Sequence, residues 1–151
     1  MVDAGDEIRL GLLDGAVGYL LRRAQLAVFE DFARRFAALD LTPAQFSTLL
    51  AIRENPGRRQ SEIAAALGVQ RPNFVALMDN LERRGLAARV RSGEDRRANA
   101  LELTRDGAAL LERALVTHAE QEAAIGAAIG ETERRKLIAT LEKLSQLINP
   151  T

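Results

Sequence analysis

The sequence predicts a mainly α-helical chain interrupted by one small β-hairpin, and three observations carry that expectation. Apolar residues recur at helical spacing over most of the 151 residues. Helix-ending Gly residues punctuate the centre, at Gly68 and Gly85. After Gly85 the period changes from 3.6 to two, and a Gly-Glu-Asp turn follows before the chain returns to an apolar run at Ala100-Leu101.

The segment from residue 60 to 103 organises the rest. Gln60–Leu67 reads as a short helix whose Ile63, Ala64 and Leu67 share one face. Gly68 suits the left-handed residue that follows a helix. Arg71-Pro72-Asn73 opens the next helix, because proline's missing N–H has no intrahelical acceptor at the first helical position. Phe74, Leu77, Met78 and Leu81 carry the buried stripe to Gly85. A small Ala64, a Gly turn and Phe74 packing across let two short helices approach at a steep angle, as in a helix-turn-helix. Leu86, Ala88 and Val90 then alternate with Ala87, Arg89 and Arg91, as on a half-buried strand. Ser92-Gly93-Glu94-Asp95 is turn chemistry and Asn99–Leu103 the returning strand, so the hairpin forms a wing beside the second helix.

The flanking segments read as helices. One runs from about Gly15 to Leu39, with Val17, Leu20, Leu21, Ala24, Val28, Phe32 and Phe36 on one stripe. Leu26, Phe29 and Ala33 make a second apolar face, so this helix needs two sets of neighbours. Thr42-Pro43-Ala44-Gln45 is a capping box with Pro at the first helical position, and Asn55-Pro56-Gly57 ends the helix it opens. Phe46, Leu49, Leu50 and Ile52 face the core. Thr104 caps a long helix reaching about Ala124, with Ala108, Leu111, Ala114, Leu115 and Ala119 as its stripe; Gly126 and Gly130 are expected to break it. A last helix, about Glu131 to Ile148, has Leu137, Leu141, Leu144 and Ile148 as a heptad seam too short to stand alone. The first and last helices carry more apolar surface than one small domain can cover. Two-fold pairing through these ends would bury it and set two recognition helices about 34 Å apart, one DNA turn. The other arrangement is a monomer that folds its ends onto its own core.

Charge narrows the class. The chain is neutral overall, with 21 basic and 21 acidic residues, yet residues 58–97 hold nine Arg against five acids. Arg presents a planar fork suited to phosphates and guanine edges. There is no Cys, which excludes disulfides, thiolate catalysis and thiol-based peroxide sensing. His118 is the only His, so no His pair binds a metal; the expectation is a non-enzyme without catalytic residues or metal. Gly11, Gly15 and Gly18 match no phosphate-binding spacing. No apolar run spans a membrane, and Met1 to Glu7 is acidic where a signal peptide would be basic, so a soluble cytoplasmic protein is expected.

Gln60-Ser61-Glu62-Ile63-Ala64, Leu81-Glu82-Arg83-Arg84-Gly85-Leu86 and Asp95-Arg96-Arg97 before Leu101-Glu102-Leu103-Thr104 resemble the MarR family of winged helix-turn-helix transcription regulators. The resemblance in helix order extends from about residue 10 to about residue 148. It implies an N-terminal dimerisation segment (1–40), a winged helix-turn-helix domain (41–104) and C-terminal dimerisation helices (105–151) in one intertwined protomer. The function implied is that of a homodimeric, ligand-responsive repressor on a pseudo-palindromic double-stranded DNA operator. A protein-interaction module and a non-specific architectural DNA binder are the alternative readings.

The candidate DNA contacts follow residue by residue. Arg71 and Asn73 open the recognition helix, where Arg grips guanine and Asn adenine; a phosphate clamp is the other role for Arg71. Gln70 lies just before that helix, and Ser61 either bonds a phosphate or caps its own helix. Arg58 and Arg59 precede the motif, as phosphate contacts or as solvated charges. Ala76 departs from the family, which often has Arg at the matching position; its methyl can touch thymine but donates nothing. Arg97, and secondarily Arg96, are the wing candidates for a narrow minor groove. The resemblance makes Asp95 a buttress that aims a neighbouring Arg. It further implies a small aromatic or phenolic effector between the dimerisation helices and the winged lobe, with Tyr19, Arg23, Phe46 and His118 as lining candidates. Asp79 and Glu82, three apart on the recognition helix, are expected to be neutralised by Arg83 and others.

Overall fold

The computed structural model describes residues 8–91 and 99–148. A 3-10 turn, Gly11–Gly15, leads into α1, Val17–Phe36, which a second 3-10 turn, Ala37–Leu39, prolongs. Asp40 then turns the chain in a left-handed conformation, φ 50°, which a short polar side chain tolerates. The expected helix to Leu39 is therefore present, with its last turn tightened to 3-10 geometry.

Helix α2 spans Pro43–Glu54. Its capping box forms as the sequence indicates: Gln45 N donates to Thr42 Oγ1 at 3.2 Å and Thr42 N donates to Gln45 Oε1 at 2.9 Å. Helices α3, Gln60–Ala66, and α4, Arg71–Arg83, each end on the same device. After α3, Gly68 N bonds Ala65 O and Val69 N bonds Ala64 O; after α4, Gly85 N bonds Glu82 O and Leu86 N bonds Leu81 O. Each is a Schellman motif, and it requires the positive φ that Gly68 (65°) and Gly85 (68°) supply. Both helices are thereby stopped at a fixed residue, which sets the angle between them.

Strands β1, Ala87–Arg91, and β2, Asn99–Leu103, pair antiparallel with Ala87 opposite Leu103 and Val90 opposite Ala100. The chain just before α3 joins them: Arg59 bridges Ala100, and Leu101 N donates to Arg58 O at 3.0 Å. Helices α5, Arg105–Ile129, and α6, Glu131–Ile148, complete the chain. The core lies where α1, α2, α4 and α5 converge on the base of the hairpin, with Phe36, Leu49, Phe74, Met78, Leu81, Leu101 and Leu111 fully buried. Phe32 and Phe36 stack at 3.6 Å between centroids, and Phe46 meets Phe36 edge-on at 5.5 Å.

Three expectations are corrected. Gly126 does not break α5, which continues to Ile129 and ends at Gly130, φ 86°. The missing side chain at Gly126 serves packing instead, since a Cβ there would lie 3.3 Å from Glu131 Oε2 and 3.4 Å from Arg134 Cδ, where α6 folds back. The stripe of α5 is also turned: Leu111 and Ala114 are buried and Leu115 half-buried, while Ala108 and Ala119 are exposed and Gly107 and Gln121 are buried in their place. In the hairpin, Leu86 belongs to the helix cap and not to the strand. Alternation therefore starts one residue late, with Ala87 buried and Arg89 turned toward α4. The expected turn at Ser92–Asp95 lies outside the described residues.

The start of α5 is locked to the end of α4. Thr104 Oγ1 accepts from Gly107 N at 2.9 Å and donates to Gly85 O at 2.6 Å, while Thr104 N donates to Leu86 O at 3.2 Å. A Cβ on Gly107 would stand 1.7 Å from Leu86 O, which is backbone and cannot rotate away. Gly107→Ala is expected to destabilise the fold by about 1–3 kcal/mol or more in urea unfolding, despite alanine's better helix propensity. Gly126→Ala, facing only flexible side-chain ends, is expected to be near neutral in the same measurement.

Candidate nucleic-acid interface

Helix α4 buries Phe74, Met78 and Leu81, which leaves Arg71, Asn73, Ala76 and Arg83 exposed. Gln70 is its extended N-cap residue, and its carbonyl accepts from Phe74 N at 3.0 Å. Ser61 is exposed at the second position of α3; the cap position belongs to Arg59, so the capping role considered for Ser61 is not the one it has. Among the described residues no hydrogen bond engages the side chains of Ser61, Gln70, Arg71 or Asn73, so all four retain their bonding capacity for a ligand. The structure thus leaves every helix-turn-helix candidate on the exposed surface of α3 and α4. Asp95, Arg96 and Arg97 lie outside the described residues.

Arg89 fixes the hairpin to that surface, although strand alternation from Leu86 places it on the polar side of β1. From β1 its Nε donates to Gln60 Oε1 at 2.6 Å, and its Nη1 donates to Asp79 Oδ1 at 2.8 Å and to Glu82 Oε2. Its Nη2 reaches Val75 O at 3.3 Å, and its backbone N donates to Glu82 Oε1 at 2.8 Å. One guanidinium, only 17% exposed, therefore joins α3, α4 and the wing. Asp79 and Glu82 are neutralised by Arg89 and not by Arg83. The signal was available: two acids three apart on a helix face the strand that follows, and one Arg on that strand falls opposite them.

A second polar cluster sets the other side of α4. Gln45 Nε2 donates to Asn80 Oδ1 at 2.8 Å, and Arg84 Nη1 reaches Gln45 Oε1 at 3.4 Å. The residues preceding α3 are partly committed too. Arg58 pairs with Glu62 at 3.1 Å, and Arg59 N donates to Glu62 Oε2 at 2.8 Å. That backbone N–H, and secondarily the nearby Arg58, hold the Glu62 carboxyl below its ordinary value.

The effector candidates form two pairs. Arg23 Nη1 donates to Tyr19 Oη at 3.2 Å on α1, and this bond raises the Arg23 pKa further. Phe46 is a core residue, 5% exposed, and its ring lies 5.0 Å from that of His118 across the α2–α5 contact. Among the described residues His118 Nδ1 is buried without a hydrogen-bond partner. Sequence reasoning missed Gln121, whose Nε2 donates to Val28 O at 3.2 Å and to Asp31 Oδ2 at 3.1 Å, tying α5 to α1.

The family model described as the MarR family matches residues 39–98. Over 139 residues the chain is 35% identical to a putative transcriptional regulatory protein for the hcr operon of Thauera aromatica, covering 91% of this chain and 84% of that one. The chain belongs to the MarR family. Among solved structures, the transcriptional repressor CouR bound to a 23-mer DNA duplex is 48% identical, with a TM-score of 0.88 over 93% of this chain and 99% of its own. CouR bound to p-coumaroyl-CoA is 46% identical, with a TM-score of 0.87 over the same 93% and 99%. Family membership makes this chain a winged helix-turn-helix, DNA-binding transcription regulator, and its relatives are regulators and not enzymes. Among the described residues no His, Cys, Asp and Glu cluster could hold a metal, and no helix is long and apolar enough to cross a membrane.

Two measurements check the electrostatics of this MarR-type lobe. Arg89→Ala leaves Asp79 and Glu82 unpaired and is expected to cost roughly 1.5–3 kcal/mol in urea unfolding; Arg89→Lys should recover little, because one ammonium lacks the fork. Glu62 has a lowered folded pKa, so its charge stabilises the fold above the ordinary value of 4.5 and is lost as pH falls through the folded value. Glu62→Gln is expected to be less stable than the parent at pH 7, and that gap should close as the pH is lowered below 4.5.

Proposed function

We propose that this chain is a homodimeric repressor that holds a pseudo-palindromic operator with two copies of α4 and lets go when an aromatic acyl-CoA thioester binds. The observation that carries the reading is the near-full-length likeness to CouR in both its DNA-bound and its p-coumaroyl-CoA-bound forms. The surfaces support it. In the single chain Val17 is 62% exposed, Leu20 50%, Leu137 46% and Leu141 37%, an apolar excess on the two end segments that a second copy would cover. Residues 1–40 and 105–151 are accordingly the dimerisation segments and 41–104 the DNA-binding domain.

In this reading Arg71, Asn73 and Gln70 face the major groove, Ser61 meets a phosphate, and Arg96 and Arg97 enter the minor groove with Asp95 as buttress. In the same reading Phe46 and His118 are assigned to the aromatic acyl group, where the buried Nδ1 of His118 would offer a hydrogen bond to a phenol, and Tyr19 and Arg23 to the anionic tail. The thioester must prefer a dimer whose recognition helices no longer match the operator, since equal affinity for both states shifts nothing.

Selection from random duplexes is expected to return a two-fold-symmetric consensus. p-Coumaroyl-CoA should release that duplex, whereas p-coumarate alone or CoA alone should not. Arg71→Ala should lower the slope of log affinity against log salt by about one if Arg71 clamps a phosphate, or relax one base position if it reads guanine. His118→Ala should raise the thioester concentration needed for release by roughly 3–10-fold with duplex affinity unchanged. A monomer indifferent to every duplex at low salt would defeat the whole reading; binding without release by any thioester would defeat the effector part alone.

A further inference from the structure

The middle of α4 presents carbon where a base-reading helix commonly presents donors. At 3.6 residues per turn, burial of Phe74, Leu77, Met78 and Leu81 places Pro72, Val75, Ala76 and Asp79 on the outward half. Pro72 and Ala76 are exposed, and Val75 is 37% exposed although it is a large apolar residue. None of these three side chains can donate or accept a hydrogen bond. Asp79, one turn on, is held by Arg89 at 2.8 Å, so its carboxylate is already committed. Val75 is fixed in place by its carbonyl, which accepts from Arg89 Nη2 at 3.3 Å. Polar reach exists only at the ends of the face, through Arg71 and Asn73 at its start and Arg83 near its close.

The B-DNA major groove has one base-edge feature that is itself apolar, the 5-methyl group of thymine. A carbon stripe between Arg residues meets nothing else there without stranding a base donor or acceptor against an alkyl group, which carries a desolvation cost. The patch is three residues wide and flanked by cations, too small and too basic in its surroundings for a protein-docking site. The geometry points to a thymine-methyl contact, made by Val75 and Ala76, that selects the central bases of each operator half-site. The inference rests on the DNA-binding reading above, and it names which base α4 reads with its middle turn while Arg71 and Asn73 read or clamp the flank.

The test modifies the DNA and leaves the protein intact. The duplex recovered by selection is resynthesised with deoxyuridine in place of each thymidine in turn, which removes only the methyl group. One or two positions per half-site are expected to lose about fourfold in affinity per methyl removed. Replacing that T·A pair by C·G and then by 5-methylcytosine·G should show the methyl restoring part of the loss. Val75→Ala, a change at an exposed helix position, should shrink the difference between thymidine and deoxyuridine at one position and leave the others alone. Equal affinity for thymidine and deoxyuridine at every position overturns the inference while the duplex still binds. A methyl effect that Val75→Ala and Ala76→Ser both leave untouched assigns it to DNA shape and overturns the contact. Absence of any selected duplex removes the DNA-binding reading itself, a distinct result.

Discussion

The arrangement depends on a backbone contact between two helix ends. The carbonyl of Leu86, released by the cap that terminates α4, accepts the N–H of Thr104, and the absent side chain of Gly107 lets the first turn of α5 rest against it. The hydroxyl of Thr104 closes the joint by donating to Gly85 O at 2.6 Å while accepting from Gly107 N, one of the free N–H groups in the first turn of α5. The hairpin leaves and returns through this same point, because β1 starts at Ala87 and β2 ends at Leu103. Recognition helix, wing and the long helix that leads out of the lobe therefore share one origin, and none can tilt without disturbing the other two.

Electrostatics inside the lobe is less available to a partner than the residue count implies. Nine Arg fall between residues 58 and 97, but Arg58, Arg84 and Arg89 are paired with carboxylates of the chain itself. Their value differs with burial. Arg89, with three side-chain partners and 17% exposure, is an integral part of the fold. Arg84 meets Asp40 at 3.5 Å, and with that carboxylate 93% exposed the pair contributes little in water. Arg71, Arg83 and Arg91 remain as exposed cations in the described part of the segment. Part of the local positive charge is therefore used inside the lobe, with Arg89 holding α3, α4 and β1 together.

Elements governed by local chemistry were legible in the sequence. The Thr42–Gln45 box, the two Gly caps and Thr104 before α5 each act within four residues and are found where the pattern places them, while Pro72 stands one residue late, at the second position of α4. The exposure of Arg71, Asn73 and Ala76 was legible for the same reason, since it follows from the burial of Phe74 and Met78 on the opposite face of α4, and that of Ser61 from the burial of Ile63 and Ala64 on α3. Features set by tertiary packing were not. Gly126 looked like a helix breaker because a lone Gly is costly in a helix, but the return of α6 over it decides the matter. Arg89 looked solvated because strand alternation was counted from Leu86, which the helix cap had already taken. Gln121 gave no local sign at all; its importance lies in reaching Val28 and Asp31, some ninety residues away.

Contacts are unevenly distributed between the two connections that flank the lobe. The α4–α5 joint is held by three hydrogen bonds and a steric stop, whereas the elbow between α1 and α2 is a 3-10 turn, one left-handed Asp and an exposed ion pair. Further along α5, Gln121 couples it to α1 through one backbone carbonyl and one carboxylate, and the Arg35 bond lowers the Asp31 pKa and so favours the charged form of that carboxylate. Phe46 of α2 and His118 of α5 meet ring to ring at 5.0 Å, where the helix that follows the elbow packs on the long one. Because the joint ties α4 and the wing to the start of α5, the helix-turn-helix, the hairpin and the long helix are held by one shared set of contacts.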